Sequence, residues 1–156
     1  MRRARAALWL AAALCASCGG EPATPEDEVR ALLAALEAAA ESRDVGDVLA
    51  LVSESYRDPA GHDKQALKGV VLGYFLGHEA IHVVSRVREL ELAEPPTSAH
   101  VVMSAALTGA PVTEPGELGS LSADVYRFEL EAAREVDGAW RLTSARWRPA
   151  GAAELL

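Results

Sequence analysis

The spacing of apolar residues changes once along the chain, near residue 80. Before that point apolar residues recur every three or four positions, which is typical of helices with one buried face. We predict three helices: one at residues 25–42 behind an N-cap at Thr24, a shorter one capped by Asp44, and a third that Asp63 caps and that ends near Gly77. All three lie in the N-terminal half of the chain.

Beyond residue 80 apolar and polar residues alternate, which predicts strands. Four strands are expected, at residues 81–92, 99–108, 124–136 and 139–148, with a bulge near Glu89 in the first and a loop at residues 109–123. Asp137-Gly138 is a strong hairpin-turn signal. Helices followed by strands indicate an α+β fold, in which three N-terminal helices pack on one face of a curved, mostly antiparallel sheet of about four strands.

Composition restricts the class of protein. The chain has 156 residues, 50% of them hydrophobic, which fits one globular domain. Its formal net charge of −8 argues against a nucleic-acid partner, because phosphate binding relies on clustered Lys and Arg. The sequence contains neither a glycine-rich phosphate loop nor a nucleophile elbow, and we expect no cofactor.

The first twenty residues have the pattern of an export signal. Three arginines within the first five residues precede an apolar stretch at residues 6–16. The stretch continues into Leu14-Cys15-Ala16-Ser17-Cys18-Gly19-Gly20, which resembles the lipobox of bacterial lipoproteins, although that family prefers Leu where this chain has Cys15. The resemblance implies that Cys18 becomes the lipidated first residue of the mature chain. Cys15 is the second candidate, and a cleaved signal without a lipid is the alternative.

Lipidation would anchor the protein in the bacterial cell envelope. Because Gly19 rather than Asp follows the cysteine, the resemblance implies the outer membrane, with the protein facing the periplasm. The predicted organisation is a signal peptide at residues 1–17, the lipidated cysteine and a short tether at 18–24, one domain at 25–150 and a tail at 151–156. Cleavage removes three of the 15 basic residues and none of the 23 acidic ones, so the mature chain carries about −11.

The order of elements is itself informative. Two paired N-terminal helices, the loop Tyr56-Arg57-Asp58 before a third helix, a long meander, and the ending Asp137-Gly138-Ala139-Trp140-Arg141-Leu142 resemble the nuclear transport factor 2-like superfamily. That superfamily has a cystatin-like α+β cone with a cavity, and it includes ketosteroid isomerases, dehydratases, SnoaL-like cyclases and pure binding modules. The resemblance therefore implies a fold and a pocket, without choosing a reaction.

Three residues are candidates for general acid–base catalysis. In catalytic members of the superfamily an Asp or His and a Tyr project into the cone, and Tyr56, Asp58 and His82 could take these parts here. Tyr126 and Trp140 are the candidate ligand-binding walls of the pocket. The alternative is structural: Asp58 pairs with Arg57 or caps a turn, and Tyr56 belongs to the core.

His78-Glu79-Ala80-Ile81-His82 matches the His-Glu-x-x-His pattern of zinc peptidases. That chemistry needs both histidines on one helical face, whereas residues four apart on a strand are separated by about 13 Å. Gly77 before the motif and the β-branched residues after it favour a strand. We therefore expect His78 to cap a helix end, His82 to begin a strand, and no metal site.

The sequence thus predicts a lipid-anchored envelope protein with one cone-shaped domain that binds without catalysis. Its expected partners are the membrane, a small apolar ligand or an envelope protein, and a second copy in a homodimer. The first alternative is a small-molecule isomerase or dehydratase that uses an acid–base pair in the cavity, and a zinc peptidase is a remote one. Cavity polarity distinguishes binding from catalysis, because catalysis needs an acid–base pair inside a closed pocket.

Overall fold

A computed structural model of the chain describes residues 22–111 and 123–155. The predicted signal peptide, Cys15 and Cys18 lie outside these residues, as does most of the predicted loop at 109–123. The helices are α1 (Pro25–Ser42), α2 (Val45–Ala50) and α3 (Lys64–Leu76). Each begins at its predicted cap: Thr24 and Asp27 form a reciprocal capping box, and the side chains of Asp44 and Asp63 accept backbone N–H groups at the starts of α2 and α3.

The strands form one antiparallel sheet in chain order: β1 (His82–Leu92), β2 (Ser98–Thr108), β3 (Ala123–Arg134) and β4 (Trp140–Pro149). The register shifts between Val87 and Glu89, which confirms the predicted bulge. Gly138 has a φ of 82° in the β3–β4 turn, a conformation that a side chain would strain.

The main core lies between the helices and one face of this sheet. Val29, Leu32 and Leu33 of α1 are buried in one cluster with inward-facing residues of β2, β3 and β4. The predicted α+β arrangement of three helices and a four-stranded antiparallel sheet is therefore confirmed. The segment after α2 is tied to the sheet by a parallel bridge between Val52 and Leu142, which brings the following loop alongside β4. Among the described residues, no helix is long and apolar enough to span a membrane.

Charged side chains of β1, β3 and β4 lie on the other face of the sheet. Residues 151–155, assigned by sequence to a tail, lie against the basic side chains of that face and include a 3-10 turn at Ala152–Glu154. The Glu154 carboxylate lies 3.4 Å from an Arg148 nitrogen and 3.6 Å from an Arg127 nitrogen, and Arg86 donates to the carbonyl of Leu155 at 3.4 Å. The two faces of the sheet thus differ in chemistry, and the helix-covered one encloses an apolar space.

Candidate functional site

A cavity of about 290 Å³ lies between the helices and the sheet. Only five of the described lining residues carry side-chain polar atoms, namely Glu37, Tyr56, Tyr74, Tyr126 and Trp147. The rest of the lining is aliphatic or aromatic, comprising Leu33, Leu36, Ala40, Val48, Val52, Leu67, Val70, Val71, Phe75, Val83, Met103, Ala105, Leu107, Phe128, Leu130, Leu142 and Ala145.

Strand alternation and small side chains account for this cavity. Residues 103, 105 and 107 of β2 and 126, 128 and 130 of β3 all face it, since every second residue of a strand points to the same side. Ala40 of α1, Ala105 of β2 and Ala145 of β4 occupy lining positions where a larger residue would fill the space. The sequence therefore leaves room between α1, α3 and the sheet, and it surrounds that room with apolar groups.

Tyr56 reaches the cavity from the loop between α2 and α3. Backbone N–H groups of Ser53 and Arg57 donate to the β4 carbonyls of Leu142 and Thr143 at 2.8 and 3.0 Å, which fixes the loop on the sheet. The Tyr56 side chain is 1% exposed, and its hydroxyl donates to Asp58 Oδ2 over 3.5 Å. Burial, and then the negative charge of Asp58, raise the pKa of Tyr56 well above its ordinary value.

The carboxylate of Asp58 is held by its own loop. Its Oδ2 accepts from His62 Nδ1 at 2.8 Å and its Oδ1 accepts from the His62 backbone N–H at 2.8 Å, with the residue only 5% exposed. Burial raises the pKa of Asp58, but the hydrogen bonds from His62 outweigh burial and leave the pKa below its ordinary value. The His62 ring stacks on Trp147 at a centroid distance of 6.4 Å. Trp147 lines the cavity, whereas Asp58 and His62 do not.

The structure brings Tyr56 and Asp58 together but leaves His82, the third predicted catalytic residue, apart from them. His82 is the first residue of β1, and since the next residue, Val83, lines the cavity, His82 points to the opposite side of the sheet. The imidazole nearest Asp58 belongs to His62, a residue of the same loop that the sequence analysis did not select. The sequence feature that could have indicated His62 is the turn signal at Asp58-Pro59 and Gly61. Gly61 has a φ of 91°, and the turn brings the chain back towards Asp58.

The two predicted ligand-binding aromatics lie in different places. Tyr126 lines the cavity. Trp140 is buried outside its lining, and its indole Nε1 donates to Glu28 Oε2 of α1 at 2.9 Å. Trp147, seven residues along the same strand, lines the cavity instead. The pairing of β4 with β3 shifts in register between Glu131 and Ala132 of β3. Simple alternation counted along β4 therefore does not identify Trp147 as inward-facing.

The His-Glu-x-x-His segment is not a single helix. Helix α3 ends at Leu76, His78 follows in the connection, and β1 begins at His82. His78 closes the helix end, since its Nδ1 lies 2.8 Å from the carbonyl of Tyr74. Within residues 22–111 and 123–155, no three His, Cys, Asp or Glu side chains are grouped closely enough to hold a metal ion.

A second polar cluster lies at the β3 end of the apolar cavity. Tyr74 Oη donates to Asp124 Oδ2 at 3.1 Å, and His78 Nε2 lies 3.4 Å from the same oxygen. The rings of Tyr74 and His78 stack at 4.1 Å. Burial, and then the hydrogen bond to Asp124 and its charge, raise the pKa of Tyr74, and burial and the same carboxylate raise the pKa of Tyr126. No local pattern in the sequence indicates this cluster, because Tyr74 and Asp124 are 50 residues apart.

Comparison with known proteins defines the fold. No protein-family model matches the chain, and no curated protein matches it in sequence. Solved structures do match. A candidate dehydratase of the nuclear transport factor 2-like family from Streptomyces avermitilis superimposes with a TM-score of 0.64 at 18% identity, covering 83% of this chain and 99% of that one.

Two further matches carry names of other kinds. A ketosteroid isomerase-like protein from Erwinia carotovora atroseptica has a TM-score of 0.57 at 16% identity, covering 79% of this chain and 94% of that one. A candidate calcium/calmodulin-dependent protein kinase type II association domain from Thiobacillus denitrificans has a TM-score of 0.62 at 15% identity, covering 78% and 94%. The fold is therefore nuclear transport factor 2-like, as the sequence predicts. Identities this low establish the fold alone, and proteins of this fold differ in function.

Proposed function

We propose that this protein is a lipid-anchored component of the bacterial cell envelope whose domain binds a small apolar ligand without catalysing a reaction. The observation that carries the binding proposal is the apolar cavity of about 290 Å³ beneath the helices. Its volume is close to the lower end of the range for small-molecule sites, which are concave and mostly apolar. The burial of hydrocarbon surface there would supply the affinity.

The position of the polar groups supports binding rather than catalysis. Glu37 is the only carboxyl group among the described lining residues, and its Oε1 already accepts a hydrogen bond from Ser85 Oγ at 2.5 Å. No histidine occurs among those residues, and the Asp58–His62 pair lies outside the lining. An acid–base pair inside the pocket, which isomerisation or dehydration would need, has no support in this arrangement.

A matched pair of α1 variants tests the binding site. Ala40 lines the cavity, whereas Ala38 of the same helix is exposed and lies outside the lining. Titration with the neutral apolar dye Nile red should show saturable binding to the wild-type protein. Ala40→Phe should abolish that binding and Ala38→Phe should retain it. Equal binding by the two variants, with both folded by circular dichroism, would place the apolar site elsewhere.

The anchor is the second part of the proposal and rests on Cys18. Metabolic labelling with an alkyne fatty acid in a bacterial host should label the wild-type chain and leave Cys18→Ser unlabelled, with the labelled protein in the outer-membrane fraction. Label that persists in Cys18→Ser and disappears in Cys15→Ser would move the site to Cys15. Absence of label from all three chains would contradict anchoring. A homodimer and an envelope-protein partner remain predictions beside this proposal.

One observation favours the isomerase or dehydratase alternative. The Tyr56 hydroxyl belongs to a cavity-lining residue and lies within 3.5 Å of a buried carboxylate, so a proton donor is available at the cavity wall. Small molecules that co-purify with the protein would be identified by mass spectrometry before and after incubation. Conversion by the wild type and not by Tyr56→Phe would support the alternative, whereas recovery of unchanged ligand from both supports binding.

A further inference from the structure

A second cavity, of about 320 Å³, adjoins the apolar one. Tyr74 and Leu107 line both cavities, so the two meet at these side chains. Unlike its neighbour, this second cavity has His78, Thr108 and Asp124 in its lining, and it therefore offers hydrogen-bonding groups beside an apolar site. The side chains of His78 and Asp124 are 38% and 50% exposed, which leaves them accessible to a ligand.

The orientation of the His78 ring determines which of its nitrogens carries a proton. Nδ1 lies 2.8 Å from the backbone carbonyl of Tyr74, and a carbonyl oxygen can only accept, so Nδ1 is the donor. In the neutral imidazole Nε2 is then an acceptor. The stacked ring of Tyr74 holds the imidazole in this orientation.

Nε2 consequently faces another acceptor. It lies 3.4 Å from Asp124 Oδ2, which already receives the hydroxyl proton of Tyr74 at 3.1 Å. In the neutral tautomer no hydrogen lies between these two atoms, so both can accept from a ligand. A ligand group with two or more N–H or O–H donors would satisfy both acceptors, and a cation would also gain from the carboxylate charge. The formal net charge of −8 acts in the same direction, against anions.

We propose that Tyr74, His78 and Asp124 form a head-group site that selects amphipathic ligands with a cationic, hydrogen-bond-donating head, such as an alkylammonium. The hydrocarbon part of the ligand occupies the adjoining apolar cavity, so this inference rests on the proposed function. Ligands with the same chain and an anionic carboxylate head are disfavoured, because their charge would meet that of Asp124.

Three probes with one chain length test this selection: octylamine, octanol and octanoate. Each displaces Nile red from the unacylated full chain, made with serine at both Cys15 and Cys18, at neutral pH. Octylamine should displace the dye at a concentration about tenfold lower than octanoate, with octanol between them. Asp124→Asn should reduce the tenfold ratio to less than about threefold, chiefly by weakening octylamine.

The control is Glu129→Gln, which removes one negative charge from the same strand on the opposite face of the sheet, where Glu129 lies 3.5 Å from Arg146. This variant should keep the tenfold preference, which separates local selection from the effect of net charge. Displacement by octanol with no preference for octylamine, or an equal loss of preference in both variants, would overturn the head-group site and leave the apolar site standing. Failure of all three probes and of the dye to bind would overturn both.

Discussion

Two clusters in this protein contain the same three residue types but differ in how the histidine and the carboxylate are hydrogen-bonded. Tyr56, Asp58 and His62 form the loop cluster, and Tyr74, His78 and Asp124 form the mouth cluster. In the loop cluster the His62 Nδ1–H donates directly to the carboxylate at 2.8 Å, so the histidine and the aspartate satisfy each other. In the mouth cluster the equivalent N–H of His78 is taken by a backbone carbonyl, and Nε2 is left facing the carboxylate at 3.4 Å.

The aspartates of the two clusters also differ in burial. Asp58 is 5% exposed, and a buried carboxylate is tolerated only when its acceptor sites are occupied. The side chain of Asp124 is 50% exposed, so water or a ligand can complete its hydrogen bonding. A Tyr–Asp–His set is therefore not by itself a site. Its role depends on whether the histidine Nδ1–H donates to the carboxylate, as in His62, or to a backbone carbonyl, as in His78.

The largest expected difference between the clusters is in stability. Asp58→Ala should lower the free energy of unfolding by about 2 kcal/mol, because it removes two hydrogen bonds and leaves the partly buried N–H groups of His62 without their acceptor. Asp124→Ala removes a half-exposed carboxylate and should cost less than about 1 kcal/mol. Urea unfolding followed by tryptophan fluorescence measures both losses. Equal losses would mean that the mouth cluster is as structural as the loop cluster.

The next largest expected effect is the dependence of the unfolding free energy on acid pH, which arises from the loop cluster. The folded-state pKa of Asp58 lies below the ordinary 3.8, so folding favours the ionised carboxylate. Its contribution is therefore complete above the unfolded-state value and is lost as the pH falls through the folded-state pKa. The difference in unfolding free energy between wild type and Asp58→Asn should be larger at neutral pH than below about pH 4.

His62→Ala provides the check on the cause of that acid dependence. Without the imidazole donor, Asp58 loses one of the hydrogen bonds that lower its pKa, and the acid-dependent difference should become smaller. If the variant shows the same acid limb as the wild type, then the His62 ring does not lower the pKa of Asp58. The measurement is urea unfolding at a series of pH values with matched ionic strength.

Local signals explain why so much of the fold was predictable. The caps Thr24, Asp44 and Asp63 lie within three residues of the N–H groups that they bind, and strand alternation needs only neighbours. Tyr56 and Asp58 were selected through the resemblance to the superfamily, and a catalytic role for them stays a prediction. The histidine beside Asp58 was missed, although it lies only four residues away, because the loop conformation at Gly61 decides which imidazole returns to the carboxylate.

The mouth cluster depends on information that no short segment carries. Asp124 meets Tyr74 only because β3 lies third in the sheet and begins, in register, beside the end of β2. Trp140 and Trp147 both pack on the helix-covered face, on either side of the register shift between β3 and β4, and Trp147 is the one that lines the cavity. Contacts that depend on strand order and register cannot be assigned from a single sequence.

The smallest expected effect, and the most direct measure of the two carboxylates, is on the tyrosines. The chain has three, one in the loop cluster and two beside Asp124, and the pKa of each is raised above its ordinary value of 10.0. Burial is the first cause in every case, and the neighbouring carboxylate adds to it, since a negative charge opposes formation of phenolate. Asp124→Asn should therefore lower the pKa of Tyr74 and Tyr126, and Asp58→Asn should lower that of Tyr56 alone. Burial remains in both variants, so each pKa should stay above 10.0.

Absorbance titration of tyrosinate should show a lowered pKa for two tyrosines in Asp124→Asn and for one in Asp58→Asn. The same number moving in both would mean that the two clusters share one electrostatic environment.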